Sequence, residues 1–544
     1  MSIAPHRVGW LVGWLALVSS LTAASPDAPP DAALVGRVHF PITATPAAQA
    51  QFDRAVAMLH SFWYEELDRE FGKVLELDPG CAMGYWGLAM GRWHPLWEPP
   101  EANALSDGLA AVEKGKRLGA KTPREQAYLD AIGAFYSDYQ ELDHAARALR
   151  YARAMEQLHH RFPDDNEAKA FYALALLATA SPNDRALTNQ LQAAALLQQV
   201  AAAETNHPGV VHYLIHAYDT PALAERGLPE AVCYSQIAPD VPHALHMPSH
   251  IYTRLGFWQE SIQANLASDA AARRYAARVK MSGTWDEQLH AMDYLVYAYL
   301  QTAQDHAAQR LVAELRTLRR AAPENFKSGY ALAAIPARYL LERRQWAEAA
   351  ALELVPKDFP WANQAWPLAL NRFARCLGAA RAGQVDQARR ELDSLSRLRP
   401  AAAGPAASYG LRQVEILFAE ANAWTAHAEH RQEEALRSMR QAAEQEDAIE
   451  KKPVTPGPLL PARELLGELL LESGRPRDAL AEFERALKES PRRFNGLYGA
   501  GRAAAALGEK ARARDYFQQL LKTCRNADSQ RPELLAAKQA VDQP

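Results

Sequence analysis

The sequence predicts an all-α chain, an α-solenoid of stacked helical hairpins. Three observations carry that prediction. Alanine and leucine abound while long β-branched runs are scarce, which favours helix over strand. Apolar residues recur at helical spacing along nearly the whole chain, punctuated by glycine and proline at regular offsets. At 544 residues the chain exceeds what one compact core serves, so either several domains or an elongated array is expected.

The N-terminal stretch reads differently from everything after it. His6 and Arg7 precede the apolar run Val8–Val18, small residues follow up to Ser25, and Pro26, Pro29 and Pro30 break the chain. A positive start, a short apolar run and the Thr22-Ala-Ala24 ending predict a secretory signal peptide over residues 1–24, with an uncleaved anchor as the alternative. Residues 25–40 then read as a flexible mature N-terminus. The expected location is periplasmic or secreted, with no stable membrane span after cleavage. A net charge of -4 provides no basic face, so nucleic acid is not expected as a partner. Cys81, Cys233, Cys376 and Cys524 are widely spread and show no C-x-x-C spacing. Buried small hydrophobes are the expectation for at least three of them.

The hairpin period is plainest near the C-terminus, in LLPARELLGELLLESGRPRDALAEFERALKESP from Leu459 to Pro491. Leu466, Gly467 and Leu470 share one face of a first helix and Gly474 breaks the chain. Ala479, Phe483 and Ala486 share a face of a second helix, which Pro491 closes. Gly501, Gly508, Ala513 and Phe517 continue the pattern, and Cys376, Gly383, Ala388, Leu392 and Pro400 keep the same offsets upstream. Phe71 with Pro79, Met155 with Pro163 and Val200 with Pro208 extend it toward the N-terminus. The pattern resembles the tetratricopeptide repeat, which implies a right-handed superhelix with a concave groove. The boundaries read from it are a solenoid over 41–400, a helical segment and Pro-rich loop over 401–458, a repeat pair over 459–525 and a C-terminal tail over 526–544. Lys451-Lys-Pro-Val-Thr-Pro-Gly-Pro458 is the loop, and Arg399–Pro405 is a soft boundary.

Histidine is concentrated far above chance in the middle of this array. Six histidines fall between His207 and His250, where 17 in 544 predicts between one and two. In the repeat frame His243, His246 and His250 fall at positions 2, 5 and 9, His212 and Asp219 at 2 and 9, and His290 and Asp293 at 2 and 5. At 100° per residue these positions share a face turned from the packing stripe, the face that lines the groove in the repeat family. Thr284-Trp-Asp-Glu287 reads as a capping box for the helix that carries His290. Pro248 is expected to start a helix and leave His243 and His246 on its approach loop.

Two chemistries suit such a cluster. Neutral imidazoles and carboxylates bind first-row transition metals such as zinc or copper, and His212 and His216 have the His-x-x-x-His spacing of two ligands on adjacent turns. His212, His216, His243, His246, His250, His290, Asp219 and Asp293 are the candidate metal ligands. The peptidase signature H-E-x-x-H is absent, since Tyr213 stands at the glutamate position, so no catalytic set is assigned. The other reading is a polar wall that grips a protein or peptide, with His60, Trp93, His94, Trp97 and Tyr294 as further groove residues. From about residue 38 to 525 the chain resembles exported bacterial tetratricopeptide-repeat proteins of unassigned activity, on the stretches HYLIHAYDTPALAERGLP, PHALHMPSHIYTRLGFW and KKPVTPGPLLPARELLGELLLE among others. That resemblance implies an interaction scaffold in the cell envelope and names no chemistry. The expected function is an exported scaffold binding a peptide or partner protein in its groove, with a metalloprotein such as a metal-dependent hydrolase as the alternative.

Overall fold

Most hairpin turns are made by one residue in the left-handed region. Gly256, Gly383, Gly474 and Gly508 hold it at φ of +66° to +77°, and Phe62, Ala303, Arg344, His430 and Arg492 hold the same region without being glycine. At most of these turns the amide after the left-handed residue bonds a carbonyl five residues back, as in Phe257 N to Tyr252 O at 2.8 Å and Arg475 N to Leu470 O at 2.9 Å. That contact satisfies a carbonyl which the helix end would leave bare, and it reverses the chain. Helix starts are set by Thr45, Thr122, Asp143 and Asp165, whose side chains accept from backbone amides one turn in.

The computed structural model describes residues 34–542, apart from 97, 98, 182, 402–407 and 452. Among the described residues the helices pair into twelve successive hairpins, from Pro46–His60 with Tyr64–Leu77 to Phe494–Ala506 with Lys510–Thr523. A last helix, Pro532–Asp542, packs against the final hairpin. The fold is an α-solenoid. Its strands among these residues are Thr284–Trp285 and Ala321–Ala322, paired in parallel. Small residues let successive helices touch. A Cβ on Gly499 would lie 2.3 Å from the Phe483 ring, and one on Gly501 would lie 2.4 Å from Phe517.

The array bends back on itself. The Trp258 indole donates to Arg492 O at 3.0 Å, Phe494 N donates to Gln301 Oε1 at 2.9 Å, and Arg531 Nε donates to Asp305 at 2.9 Å. Arg493, fully buried, forms the centre of this closure. It bonds Glu464 at 2.7 Å, Glu342 at 2.6 Å and the Tyr297 hydroxyl at 2.7 Å, linking helices Ala462–Glu472, Phe326–Glu342 and Asp286–Gln301. The loop expected at 451–458 is present, but Val454 and Thr455 are buried, because the loop lies as a strap inside the bend.

Several expectations change. Residues 34–40 are pinned rather than flexible, since Arg37 N donates to Asn206 O at 3.1 Å and Phe40 is buried against Phe52, Trp86 and Tyr128. The C-terminal tail carries the ordered helix that ends at Asp542, with Leu534 and Ala537 buried. From Leu34 onward the chain is one compact unit, so the boundaries near 400 and 458 divide sequence patterns rather than bodies. The capping box does not form. Trp285 is the N-cap without a side-chain bond, because Thr284 N pairs with Arg320 O and Glu287 binds Lys327. Cys81, Cys376 and Cys524 are buried free thiols as expected, and Cys233 is half-buried. The signal-peptide segment and the centre of the 399–405 boundary lie outside the described residues.

Arg493→Met should destabilise the chain by about 3–5 kcal/mol, because it leaves Glu342 and Glu464 buried without their counter-charge. A urea unfolding curve with an unchanged midpoint would contradict that.

Candidate functional site

Three short helices and one long one bring the histidines together. Pro208 sits in the first turn of Pro208–Tyr218, where its missing N–H is harmless, and this helix presents His212 and His216 on adjacent turns. Pro248 does not expel its neighbours. Met247, at φ -53° and ψ -37°, continues the helical path from Pro242–His246 into Pro248–Arg254, so His246 and His250 stay one turn apart. Asp286–Gln301 contributes His290 and Tyr294.

Three of the rings are oriented by what their Nδ1 touches. His212 Nδ1 donates to the His60 carbonyl at 2.6 Å. His246 Nδ1 donates to Asn265 Oδ1 at 2.7 Å, and the Asn265 amide nitrogen is held by Ser261 O at 2.8 Å, which fixes the oxygen toward the ring. His250 Nδ1 donates to Asp219 Oδ2 at 2.8 Å. The opposite nitrogens then meet in pairs, His212 with His216 at 3.1 Å and His246 with His250 at 3.0 Å. The His290 ring lies 4.3 Å from that of His246, centre to centre.

A cavity of about 10 Å³, roughly the space one water molecule needs, lies among His216, His243, His250, His290, Glu287 and Lys327. Pro453 and Val454 of the strap close it. The strap is held by Lys451 on Asp219 at 2.7 Å, by Tyr294 donating to Thr455 O at 3.2 Å, by Tyr330 with Thr455 at 2.6 Å and by Arg338 on Pro458 O at 2.6 Å.

Burial dominates the electrostatics. It holds His212, His216, His246 and His290 well below the ordinary imidazole value, reinforced in each by neighbouring cationic or titratable groups, and it brings His250 down to about 4. The imidazoles are therefore neutral at pH 7. Burial would raise the Asp219 carboxyl, but Lys451, Arg254 and His250 outweigh it and keep the group charged. Burial raises Asp293 to about 6 against the pull of Arg338.

The predicted site residues thus divide. His216, His243, His250 and His290 line the cavity, while His212 and His246 stand behind it, paired with His216 and His250. Asp219 orients His250 and anchors Lys451 and Arg254. Asp293 faces the Arg338 guanidinium at 3.5 Å instead of the histidines. The groove residues require correction. His60, Trp93 and Tyr294 are buried in the interior, where His60 bonds Glu167 and Tyr213, Trp93 packs on Tyr151 and Tyr294 lies under the strap. His94 is half-buried against Tyr64, and Trp97 lies outside the described residues. The bend buries the face that an open solenoid would expose.

Sequence reasoning missed Lys327, Glu287, Asn265, Arg254 and Lys451. Lys451 was legible only as part of a Pro-rich loop and Glu287 only as a helix cap, and the others carry no local signal.

Residues 465–530 match the model of the tetratricopeptide repeat family. That segment carries tetratricopeptide repeats. Such repeats support a protein-interaction scaffold. No curated protein matches the chain. Among solved structures, yeast Tom70 aligns at 12% identity over 91% of this chain and 95% of its own, with a TM-score of 0.33. A human IFIT1 dimer with PPP-AAAA aligns at 12% over 87% and 89%, with a TM-score of 0.38. The tetratricopeptide-repeat domain of P58(IPK) aligns at 12% over 70% and 99%, with a TM-score of 0.20. At such identity and overlap nothing about binding carries over. No helix among the described residues is long and apolar enough to cross a membrane.

Asp219→Ala removes the buried counter-charge of Lys451 and the acceptor of His250, so it should cost about 3 kcal/mol or more. It should also expose the strap to limited proteolysis near residue 451. A variant as stable and as protease-resistant as the parent would show that Asp219 does not anchor the strap.

Proposed function

We propose that the protein is an interaction scaffold that takes an extended partner segment, carrying a lysine or arginine, into its concave pocket. The observation that carries this reading is a cavity of about 460 Å³ on the outer side of the strap. That volume is within the range of ordinary ligand pockets. Tyr297, Tyr330, Trp366 and Tyr409 supply aromatic wall, while Glu420 and Glu446 supply carboxylates. Glu420 is 1% exposed, and its Oε1 has no hydrogen-bond partner. A buried carboxyl oxygen left bare is costly, and a cationic side chain is the group that would satisfy it.

The pair has its charge suppressed in the unliganded chain. Burial raises Glu446 to about 7, with Asp447 and Glu464 adding to the rise, and the Ala462 amide and Arg493 opposing it. Burial and the neighbouring Glu446 raise Glu420 well above the carboxylate range. An incoming cation favours the ionised form, so binding releases protons. Affinity then rises with pH through about 7 and weakens below it. The repeats support the scaffold, and the bare Glu420 oxygen, in a pocket that Arg254 and Lys451 also line, supports a basic ligand.

The test is calorimetric titration of the chain with ten-residue unstructured peptides that differ only in bearing lysine, glutamate or glutamine. The lysine peptide should bind, weaken as pH falls through about 7, and lose about tenfold or more with Glu420→Gln, a change that should leave folding intact. Equal affinity for all three peptides, or indifference to Glu420→Gln, would remove the reading.

A further inference from the structure

From the histidine geometry we infer that His246, His250 and His290 form a binding site for one first-row divalent metal ion, with its fourth position open to the cavity beneath the strap. The inference is independent of the scaffold reading, since it concerns the closed inner side of the strap rather than the pocket outside it.

The positions of the ring hydrogens are fixed by the neighbours of each imidazole. A neutral imidazole has one N–H and one lone pair. His246 gives its N–H to Asn265 Oδ1, and His250 gives its N–H to Asp219 Oδ2. Both acceptors are fixed in that role, the amide by Ser261 and the carboxylate by Arg254 and Lys451. Both Nε2 atoms are then lone pairs, and they face each other at 3.0 Å. Two lone pairs at that distance repel unless a cation lies between or beside them. Nitrogens sharing one tetrahedral zinc at about 2.0–2.1 Å stand about 3.3 Å apart, close to the separation seen. A ligand nitrogen of His290 completes the set, the three lying within 4.8 Å of one another.

The surroundings of His246 and His250 match what metal-bound imidazoles use. Ligand histidines commonly donate their second nitrogen to a carboxylate, an amide or a backbone carbonyl, which fixes the tautomer and raises basicity. The other two triads provide the contrast. His60, Glu167 and His207 also lie within 4.8 Å, but Glu167 accepts from His60 Nε2 at 2.8 Å and from His207 Nε2 at 3.0 Å, so every polar atom there is spoken for. In the third triad, His216 can donate its Nε2–H to His212 at 3.1 Å, an ordinary hydrogen bond. Of the three triads, this one has two rings whose Nε2 atoms both lack a hydrogen and face each other. Imidazole ligands without thiolate suit zinc, copper or cobalt better than calcium or magnesium.

The experiment uses the full chain without a polyhistidine tag, stripped with a chelator and titrated separately with Zn(II), Cu(II) and Co(II). One ion per chain should bind, and Co(II) should give the intense visible bands of a tetrahedral site. Asn265→Ala should weaken binding by about tenfold to a hundredfold. His290→Gln should weaken it further, and the exposed His160→Ala should leave it unchanged. Zinc-edge X-ray absorption of the parent protein should show scattering from three imidazoles, a readout that does not depend on any variant folding. A folded chain that takes up none of the three metals would overturn the site and leave the two rings sharing a proton. A bound metal with fewer than three imidazoles, or with affinity unaffected by both Asn265→Ala and His290→Gln, would overturn it equally.

Discussion

Everything in the interior depends on closing the solenoid, and the closure depends on a buried guanidinium. Arg493 is taken fully out of water, which is tolerable only because Glu342, Glu464 and Tyr297 surround it with acceptors. Those partners come from three helices far apart in sequence. Satisfying one charge therefore brings the C-terminal repeats against the middle of the array. Arg531 with Asp305, and Arg344 with Glu468, repeat the device beside it.

Within the closed array, the described residues of the strap at 451–458 lie between two cavities. On one side lies the large pocket with Glu420 and Glu446, and on the other the small histidine cavity. Lys451 serves as the latch. Burial lowers its pKa to about 8, and the ion pair with Asp219 keeps it charged at neutral pH. Asp219 thus has two duties at once, holding the strap and orienting His250, so the strap's position and the orientation of a cavity-facing ring are mechanically joined.

The buried histidines are not alike. Those around Glu167 form a satisfied structural network of the kind that stabilises a core. Those held by Asn265 and Asp219 bring two Nε2 atoms to 3.0 Å of each other, the geometry on which the proposed metal site rests. Composition cannot separate these groups. What separates them is which ring nitrogen meets the fixed acceptor, Nε2 on Glu167 or Nδ1 on Asn265 and Asp219.

Much of this was legible in the chain. The helices, their turns at Gly256, Gly383, Gly474 and Gly508, the close packing at Phe483 and Phe517, and the gathering of His212, His243, His246, His250 and His290 all follow from periodicity, which is a local property of successive residues. Burial of His60, Trp93 and Tyr294, the turning of Asp293 toward Arg338, and the roles of Lys327, Asn265 and Lys451 were not legible. They result from contacts between residues as much as 232 positions apart, as Lys451 is from Asp219. Hairpin spacing determines which residues share a helix face, because that requires only the helical repeat. Whether the face opens to solvent or closes on itself is decided by how twelve hairpins bend together, a sum of small rotations that charges such as Arg493 lock at long range.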